Sequence, residues 1–397
     1  MVNGAPSGAL VNGAPSDAEA RTVGRATEAG TQRFAARVAE QTAKQPFNRI
    51  DGLAASSLGL GTYLGAPDEA TDASVIAAAR ACMHGGVNVL DTAINYRHMR
   101  GERAIGVALR EAIVAGEVAR DEIIVCTKGG FLPFDGGMPK SPKAYLRAAY
   151  VDSGVARAED IVADCHCISP TFVEAQLERS RANLGLETLD VYYLHNPETQ
   201  LESVSRMELA RRVKAAFEVL ERARADGRIA RYGFATWQAF RATEGAPEHL
   251  SLEVAVGWAR EVGGEGHGFR VVQLPYNLSM AEAWALTTQK VNGREATLLD
   301  TAAALDVSVV ASAPLYQARL TKALPPSVRK ALGGASDAHR ALSFARSTPG
   351  IACALVGMKD AAHVQENLQL LAMPRLSTKV IASLFKKGVP PSGATTP

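Results

Sequence analysis

The feature that most constrains the fold of this chain is an alternation of strand-like and helix-like segments that repeats eight times. Short, near-continuous apolar runs are typical of parallel strands buried on both faces, and longer amphipathic segments separate them. The candidate strands are residues 58–62, 87–91, 123–128, 190–195, 232–236, 271–275, 307–314 and 351–357. The candidate helices are residues 72–84, 101–115, 170–184, 207–226, 248–262, 294–305, 338–346 and 361–371. Eight such units predict an α/β fold, a single closed (β/α)8 TIM barrel.

An open, doubly wound sheet is the structural alternative to the barrel. That fold normally carries a glycine-rich phosphate turn after its first strand. Here residues 58–62 read LGLGT, which has two glycines but lacks the full G-x-G-x-x-G motif. We therefore expect a barrel over residues 46–372, with a hairpin at 47–55 plugging its bottom, followed by a C-terminal extension over residues 373–397.

The N-terminal region differs from the rest of the chain in composition. The hexapeptide VNGAPS occurs at residues 2–7 and again at residues 11–16. A repeat rich in Gly, Pro and Ser buries too little apolar surface to offset its ordering entropy. Residues 23–43 have helical propensity but lack a clear apolar stripe, and the start of the chain lacks the pattern of a signal peptide. We expect residues 1–45 to form a disordered, low-complexity tail, with a docking tail as the alternative.

Composition argues against several classes of partner. Of the 397 residues 47% are hydrophobic and 21% charged, and the net charge of +2 gives no electrostatic footprint for nucleic acid or anionic lipid. No apolar run approaches the ~18 residues that a membrane span needs. Five cysteines, an odd number, indicate reduced thiols and a cytoplasmic location. The oligomeric state stays open at this stage.

The longest connection, residues 129–169, contains a compact group of potential metal ligands, Asp164-Cys165-His166-Cys167. Ligands so close in sequence rarely reach one tetrahedral ion, and no second CxxC or HxxxH pair completes the set. We therefore expect no metal here.

A connection this long is usually functional, and at the C-terminal end of the third strand it would overhang the barrel mouth. A surface embellishment is the alternative.

Ionisable side chains lie where three successive candidate strands end. Asp91 ends the second strand, Lys128 the third and His195 the fourth, and Tyr96 follows Asp91 by five residues. Active sites of such barrels are built at these strand ends, and charged groups there are costly to desolvate unless they are paired. We interpret the four residues as one catalytic group, with a structural Asp–Lys pair at the barrel rim as the alternative.

The motifs around these four residues resemble those of the aldo-keto reductases. They read DTAINY at 91–96, GE at 101–102, IG at 105–106, CTK at 126–128 and YLHNP at 193–197. The resemblance covers about residues 47–372. It implies a (β/α)8 barrel that binds a nicotinamide cofactor and interconverts an aldehyde, ketone or sugar and its alcohol by hydride transfer.

The resemblance also implies a role for each member of the catalytic group. Tyr96 is the expected general acid, and Lys128 is expected to lower its pKa from the free value near ~10. Asp91 is expected to hold Lys128 charged and in place. His195 is expected to bind the substrate carbonyl and orient it for hydride attack.

Cofactor contacts are implied along the strand ends and the loops that follow them. The implied positions are Gly61, Thr62, Thr236, Gln273, Pro314, Leu315, Gln317, Gly357, Lys359, His363, Glu366 and Asn367. Gln273 is expected to contact the nicotinamide carboxamide, residues 314–317 the pyrophosphate, and Glu366 and Asn367 the adenine. Alternatively, Gln273 is a satisfied polar residue of the core.

Three positions depart from the family pattern. Residues 235–236 read Ala-Thr instead of Ser-Asn, Ser312 stands where an aromatic residue often stacks on the nicotinamide, and His363 replaces the usual arginine near the 2′-phosphate. Lys359 keeps one cation, whereas the adjacent Asp360 would repel a phosphate. NADP is the expected cofactor, with NAD as the alternative.

Two other functions remain compatible with these motifs. One is a cofactor-binding regulatory subunit of the same fold with little or no turnover. The other is a barrel that uses bound nicotinamide for a net redox-neutral reaction. Both would bind the dinucleotide, so cofactor binding alone does not distinguish the three functions. Only the leading function consumes reduced cofactor in proportion to the product formed.

Overall fold

The computed structural model describes residues 21–42 and 47–385, and at its centre lies a closed barrel of eight parallel strands. The strands along the chain are β1 (Asn48–Ile50), β2 (Leu53–Ala55), β3 (Leu58–Gly61), β4 (Val89–Asp91), β5 (Ile124–Gly129), β6 (Leu189–His195), β7 (Ile229–Ala235), β8 (Phe269–Pro275), β9 (Gln289–Val291), β10 (Arg294–Ala296), β11 (Ser308–Ser312) and β12 (Ile351–Gly357). The barrel order is β3-β4-β5-β6-β7-β8-β11-β12, and β12 pairs back onto β3. The predicted (β/α)8 barrel is confirmed, and each of its strands overlaps a strand predicted from the sequence.

Helices flank the barrel, and several of them begin at recognisable capping residues. They are α1 (Glu28–Arg37), α2 (Glu69–His84), α3 (Arg100–Val114), α4 (Pro142–Leu146), α5 (Pro170–Leu184), α6 (Arg206–Ala225), α7 (Leu252–Gly263), α8 (Glu282–Ala285), α9 (Leu298–Ala304), α10 (Pro326–Leu332), α11 (Asp337–Ser347), α12 (Ala361–Gln369) and α13 (Thr378–Ser383). The side chains of Asp68, Ser205 and Ser251 each accept a hydrogen bond from the backbone N–H three residues on. Among the helices of residues 21–42 and 47–385, none has the length and apolarity needed to cross a membrane.

The barrel interior is filled by apolar side chains and closed at one end by the β1–β2 hairpin. Ile50 and Leu53 of the hairpin pack in the same cluster as Val191 and Val271 of the barrel strands. The Asn48 amide donates to the backbone oxygen of Ala352, at the start of β12, at 2.8 Å. The hairpin predicted at residues 47–55 therefore plugs the bottom of the barrel, and the C-terminal strand ends form the open mouth.

Residues 21–42 fold against the bottom of the barrel, contrary to the disordered tail expected over residues 1–45. Helix α1 buries Phe34 in the main core. Its Arg37 binds the buried carboxylate of Glu122 at 2.7 Å. These long-range contacts order a helix that has no regular apolar stripe, so the prediction is wrong for this part. Both VNGAPS copies lie outside the described residues.

Two further segments differ from the predicted elements. Residues 294–296 form strand β10, which pairs with β9 in an antiparallel hairpin, so the helix predicted from residue 294 begins at Leu298. The described part of the C-terminal extension, residues 373–385, contains α13. Ile381 of that helix is buried in the main core.

The connection after β5, residues 130–169, is a folded segment, which we call the mouth segment. It contains α4 and two short helical turns, at Arg147–Val151 and Ala158–Asp160. A small apolar cluster includes Leu132 and Tyr150. The two ends of the segment meet where Phe131 bridges to His166. The mouth segment keeps its shape because it supplies a small core of its own.

Candidate active site

The four residues of the predicted catalytic group converge at the barrel mouth. Asp91 is the last residue of β4, Lys128 lies in β5 and His195 is the last residue of β6. Tyr96 lies in the turn that follows β4. Because β4, β5 and β6 are adjacent and parallel, their C-terminal ends meet although 37 residues separate Asp91 from Lys128.

The Lys128 ammonium is buried and held by two oxygens. Its Nζ lies 2.5 Å from Asp91 Oδ1, 2.7 Å from the Thr92 backbone oxygen and 4.8 Å from the centre of the Tyr96 ring. Burial by itself favours the neutral amine, but the Asp91 carboxylate raises the pKa of Lys128 above its ordinary value. Gln273 Nε2 donates to the other oxygen of Asp91 at 2.7 Å. A positive charge is therefore maintained beside the phenol.

Burial raises the pKa of Tyr96 above its ordinary value, and the Lys128 ammonium offsets only part of that rise. The Lys128 charge acts in the expected sense, since it lowers the pKa of Tyr96, but burial outweighs it. The physical reason is that the phenolate loses more hydration in this site than one ammonium restores. At neutral pH the phenol consequently carries its proton, which is the state that can donate.

His195 faces Tyr96 across the mouth, and their ring centres are 5.9 Å apart. Burial and the charge of Lys128 lower the pKa of His195 well below its ordinary value, so the imidazole is neutral at neutral pH. A neutral imidazole can donate its N–H to a carbonyl oxygen without competing for the proton of Tyr96. The site thus combines a protonated phenol, a charged amine and a neutral hydrogen-bond donor.

The residues expected near the nicotinamide lie on the same rim. Thr236 directly follows β7, and its buried Oγ1 has no hydrogen-bond partner in the described part of the chain. Gln273 donates one N–H to Asp91, so it is bonded to the predicted catalytic group as well as being an expected cofactor contact. Gly61 and Gly357 are register partners on β3 and β12, so this stretch of rim carries no side chains. The unpartnered hydroxyl of Thr236 can bind a polar group, and the bare backbone of Gly61 and Gly357 on another part of the rim lets a ligand approach closely.

The remaining cofactor positions are spread over the loops after β3, β11 and β12. After β3, Thr62 is buried. The loop after β11 contains Pro314, Leu315 and Gln317, and Gln317 is exposed and has a left-handed backbone conformation. Lys359 and His363 are exposed after β12, Glu366 is half-buried and Asn367 is buried. Glu366 accepts a hydrogen bond from Ser336 Oγ at 2.7 Å, so its carboxylate is already oriented.

Helix α12 begins directly after Asp360, which is its N-cap. Asp360 Oδ1 accepts hydrogen bonds from the backbone N–H groups of Ala362 and His363, at 2.9 and 3.4 Å. First-turn N–H groups are the usual anion-binding donors of a helix. Here a carboxylate already uses two of them, with Lys359 as the adjacent cation.

Aromatic side chains surround the catalytic group. The Phe131 ring centre is 5.0 Å from that of His195, and the Tyr63 ring centre is 5.1 Å from that of Tyr96. Tyr63 is 57% exposed, which leaves its face open at the mouth. The motifs did not single out Tyr63, and the signal for it is its place two residues beyond the end of β3.

Comparison with known families identifies one that matches most of the chain. The model of the "Aldo/keto reductase family" matches residues 57–388. A D-threo-aldose 1-dehydrogenase from a Pseudomonas species is 27% identical over 191 residues, which are 48% of this chain and 52% of that protein. A prostaglandin-E(2) 9-reductase from Oryctolagus cuniculus is 25% identical over 178 residues, 44% of this chain and 43% of that protein. The chain spans about half the length of the curated relatives it matches.

Solved structures share the fold at low sequence identity. An aldo/keto reductase from Klebsiella pneumoniae in complex with NADP and acetate superposes with a TM-score of 0.56 and 21% identity, covering 85% of this chain and 93% of that one. The holo form of an aldo-keto reductase from Bacillus halodurans gives a TM-score of 0.59 and 17% identity, covering 86% and 95%. These likenesses show the common barrel.

Proposed function

Because the chain belongs to the aldo/keto reductase family, we propose that it is an NADP-dependent oxidoreductase that interconverts a carbonyl compound and an alcohol. The observation that carries the proposal is the arrangement of Lys128, 2.5 Å from Asp91 and 4.8 Å from the Tyr96 ring, with a neutral His195 facing that ring. Relatives named as an aldose dehydrogenase and a prostaglandin reductase support an aldehyde, ketone or sugar as the carbonyl substrate.

In the proposed reaction each member of the catalytic group has a separate task. The bound nicotinamide supplies or accepts the hydride. Tyr96 donates its phenolic proton to the carbonyl oxygen in reduction and takes it back in oxidation. Lys128 stabilises the phenolate that donation leaves behind, and Asp91 keeps Lys128 charged. His195 donates its N–H to the carbonyl oxygen and so orients the substrate.

The dinucleotide would be held by the predicted rim positions. The unpartnered Thr236 hydroxyl and Gln273 support a carboxamide contact, and the bare Gly61–Gly357 pair leaves space for the cofactor on the β3–β12 part of the rim. The pyrophosphate is proposed to lie along Pro314, Leu315 and Gln317. The remaining proposed cofactor contacts are Thr62, Lys359, His363, Glu366 and Asn367. NADP is supported by the NADP complex of the Klebsiella relative, whereas the carboxylate of Asp360 favours NAD, the alternative cofactor.

The mouth segment is proposed to select the substrate. Phe131 lies against His195, and Tyr63 and Trp237 expose large aromatic surfaces near the catalytic group's strand ends. These contacts support an apolar or ring-shaped substrate. A cytoplasmic location is also proposed, supported by five cysteines that form no disulfide.

The test is the stoichiometric consumption of reduced cofactor, followed by its absorbance, with a panel of aldehydes, ketones and sugars. Formation of one alcohol per NADPH consumed is the expected result. Binding of NADPH without turnover on any member of the panel would favour the regulatory subunit instead. A chain that binds neither NADPH nor NADH would contradict the proposal outright.

A further inference from the structure

His166, from the group that looked like metal ligands, is buried beneath the end of β6. It is fully buried, and its Nε2 lies 2.7 Å from the backbone oxygen of His195. On the other side of the ring, Gln200 Nε2 lies 2.8 Å from His166 Nδ1. The imidazole therefore bridges the residue that faces Tyr96 to a side chain outside the mouth.

The surrounding hydrogen bonds determine where His166 carries its proton. Arg212 Nη1 lies 2.7 Å from Gln200 Oε1, and a guanidinium can only donate, so the amide oxygen must face Arg212. The amide nitrogen then faces His166 Nδ1, which must accept. The proton consequently sits on Nε2 and is donated to the His195 carbonyl. Burial lowers the pKa of His166 to about 4, so this neutral form persists at neutral pH.

The ring of His166 also supports the ring of His195 through Phe131. The Phe131 ring centre lies 5.0 Å from each of the two imidazoles and meets both edge to face. Close packing here requires Gly130, since a Cβ at that position would lie 2.9 Å from both His166 Nε2 and the His195 backbone oxygen. His195 is thus restrained twice, at its backbone and at its ring.

We propose that His166 is a positioning residue for His195, holding the backbone by a hydrogen bond and the imidazole through Phe131. The inference rests on the proposed function, in which His195 orients the carbonyl. It also gives the mouth segment a part in the chemistry in addition to substrate choice, because His166 belongs to that segment. A misplacement of about 1 Å at a reacting group can reduce turnover by roughly 100-fold.

The first experiment compares His166→Ala with His166→Gln in the full-length enzyme. His166→Ala removes the donor and the packing, and it is expected to lower kcat by roughly 10- to 100-fold. The dissociation constant of NADPH, measured by fluorescence titration, should stay within about twofold, a free-energy change below ~0.5 kcal/mol. Glutamine can still donate an N–H to the His195 carbonyl, so His166→Gln should recover most of kcat.

A matched control is His249→Gln, because His249 Nε2 also bonds a backbone oxygen, that of Thr288, at 2.9 Å and outside the site. This variant should keep the wild-type kcat. An unchanged kcat in His166→Ala, or equal losses in His166→Ala and His166→Gln, would overturn the positioning role. If His166→Ala does not fold, His166→Leu carries the test, since leucine fills the buried space but removes the N–H that is donated to the His195 carbonyl. A wild-type kcat in His166→Leu would then count against the inference.

A second readout requires no turnover. Nitrogen-15 NMR of histidine-labelled protein should show His166 at pH 7 as the neutral form with the proton on Nε2, and the loss of that signal in His166→Gln assigns it. A charged His166, or a proton on Nδ1 in the wild type, contradicts the inference. A wild type with the expected tautomer but without carbonyl reduction contradicts the proposed function instead, so the two failures are distinguishable.

Discussion

Lys128 acts on two neighbouring side chains in complementary ways. Its charge favours the phenolate of Tyr96 and disfavours the imidazolium of His195. In the proposed mechanism, this one buried cation stabilises the anion that Tyr96 becomes after it donates its proton. The same charge keeps His195 neutral, so that its imidazole can donate a hydrogen bond. Asp91, fixed in turn by Gln273, keeps that cation charged despite its burial.

Replacing Tyr96 by Phe is expected to abolish most turnover while leaving dinucleotide binding intact. The variant loses only the proton donor, and general acid catalysis is typically worth ~10²–10⁴-fold in rate. The measurements are kcat on the best carbonyl substrate and the dissociation constant of NADPH. Tyr150→Phe is the control, because it removes a buried hydroxyl bonded to Pro133 and should retain kcat. Full activity in Tyr96→Phe would remove Tyr96 from the mechanism.

Oxidation and reduction are expected to depend on pH in different ways. Alcohol oxidation needs the Tyr96 phenolate, and burial holds the pKa of Tyr96 above its ordinary value of ~10, so the oxidation rate should rise across the neutral range. Reduction needs the phenol and should decline only above that pKa. Lys128→Met removes the charge that offsets part of the rise in the pKa of Tyr96. The pH at which the oxidation rate increases should therefore move still higher. Profiles of log kcat/KM in both directions check this, and an oxidation plateau near neutral pH would contradict it.

At the scale of elements, the start of α12 is expected to link the stability of the helix with the choice of cofactor. Asp360 satisfies two N–H groups of the first turn, which stabilises the helix. The same carboxylate is placed where the resemblance expects the ribose phosphate. A residue that caps without a charge would therefore separate the two effects.

Asp360→Ser is expected to strengthen NADPH binding without changing NADH binding. Serine caps helices about as well as aspartate, so the change removes mainly the repulsion of a 2′-phosphate. The dissociation constant of NADPH should fall about tenfold, equivalent to ~1.4 kcal/mol. Asp360→Asn should give a similar result, because it also removes only the charge. Equal changes for NADPH and NADH would show that the loop, and not the charge, is responsible.

The local sequence pattern was sufficient to predict the strands of the barrel. It was insufficient for segments whose structure depends on contacts with residues distant in the chain. Barrel strands read as apolar runs because both of their faces are buried, so all eight were found. Strand β10 reads like a helix start, yet the hairpin it forms is held by Gln289, whose side chain accepts from the Leu252 N–H and donates to the Leu250 oxygen. Likewise, α1 depends on Glu122, which lies far away in the chain.

The same distinction applies to the site. Asp91, Tyr96, Lys128 and His195 could be predicted as a group because each lies at or shortly after the end of a strand, within a short motif. The contact of His166 with His195 depends on how the mouth segment folds back on itself, which no local pattern encodes. Its buried neutral state follows only from that fold.

At the scale of the whole molecule, residues 21–42 and the catalytic group lie at opposite ends of the barrel. The N-terminal part is tied down by Asp190, which accepts from the Ala26 N–H at 2.6 Å and from Arg120 at 2.8 Å. This arrangement separates stability at the bottom from chemistry at the mouth.

Phe34→Ala is accordingly expected to destabilise the protein without affecting the site. Phe34 is fully buried, and truncating such a side chain typically costs about 3–5 kcal/mol in the free energy of unfolding. Denaturant unfolding measures that loss, and the NADPH dissociation constant should be unchanged at 25 °C. Val23→Ala is the control, because Val23 belongs to the same segment but is 74% exposed. A wild-type free energy of unfolding in Phe34→Ala would mean that this segment adds nothing to the fold.

The bridge between Phe131 and His166 makes the mouth segment an exchangeable module. Its entry and exit already lie side by side, so a loop of different length or composition can replace the residues between them without stretching β5 or displacing α5. Because the mouth segment is proposed to select the substrate, we expect such a graft to change which carbonyl compounds are accepted while the barrel stays the same. The exchange must nevertheless keep His166 at the exit of the loop, because the proposed positioning of His195 depends on the hydrogen bond from His166 to the His195 carbonyl.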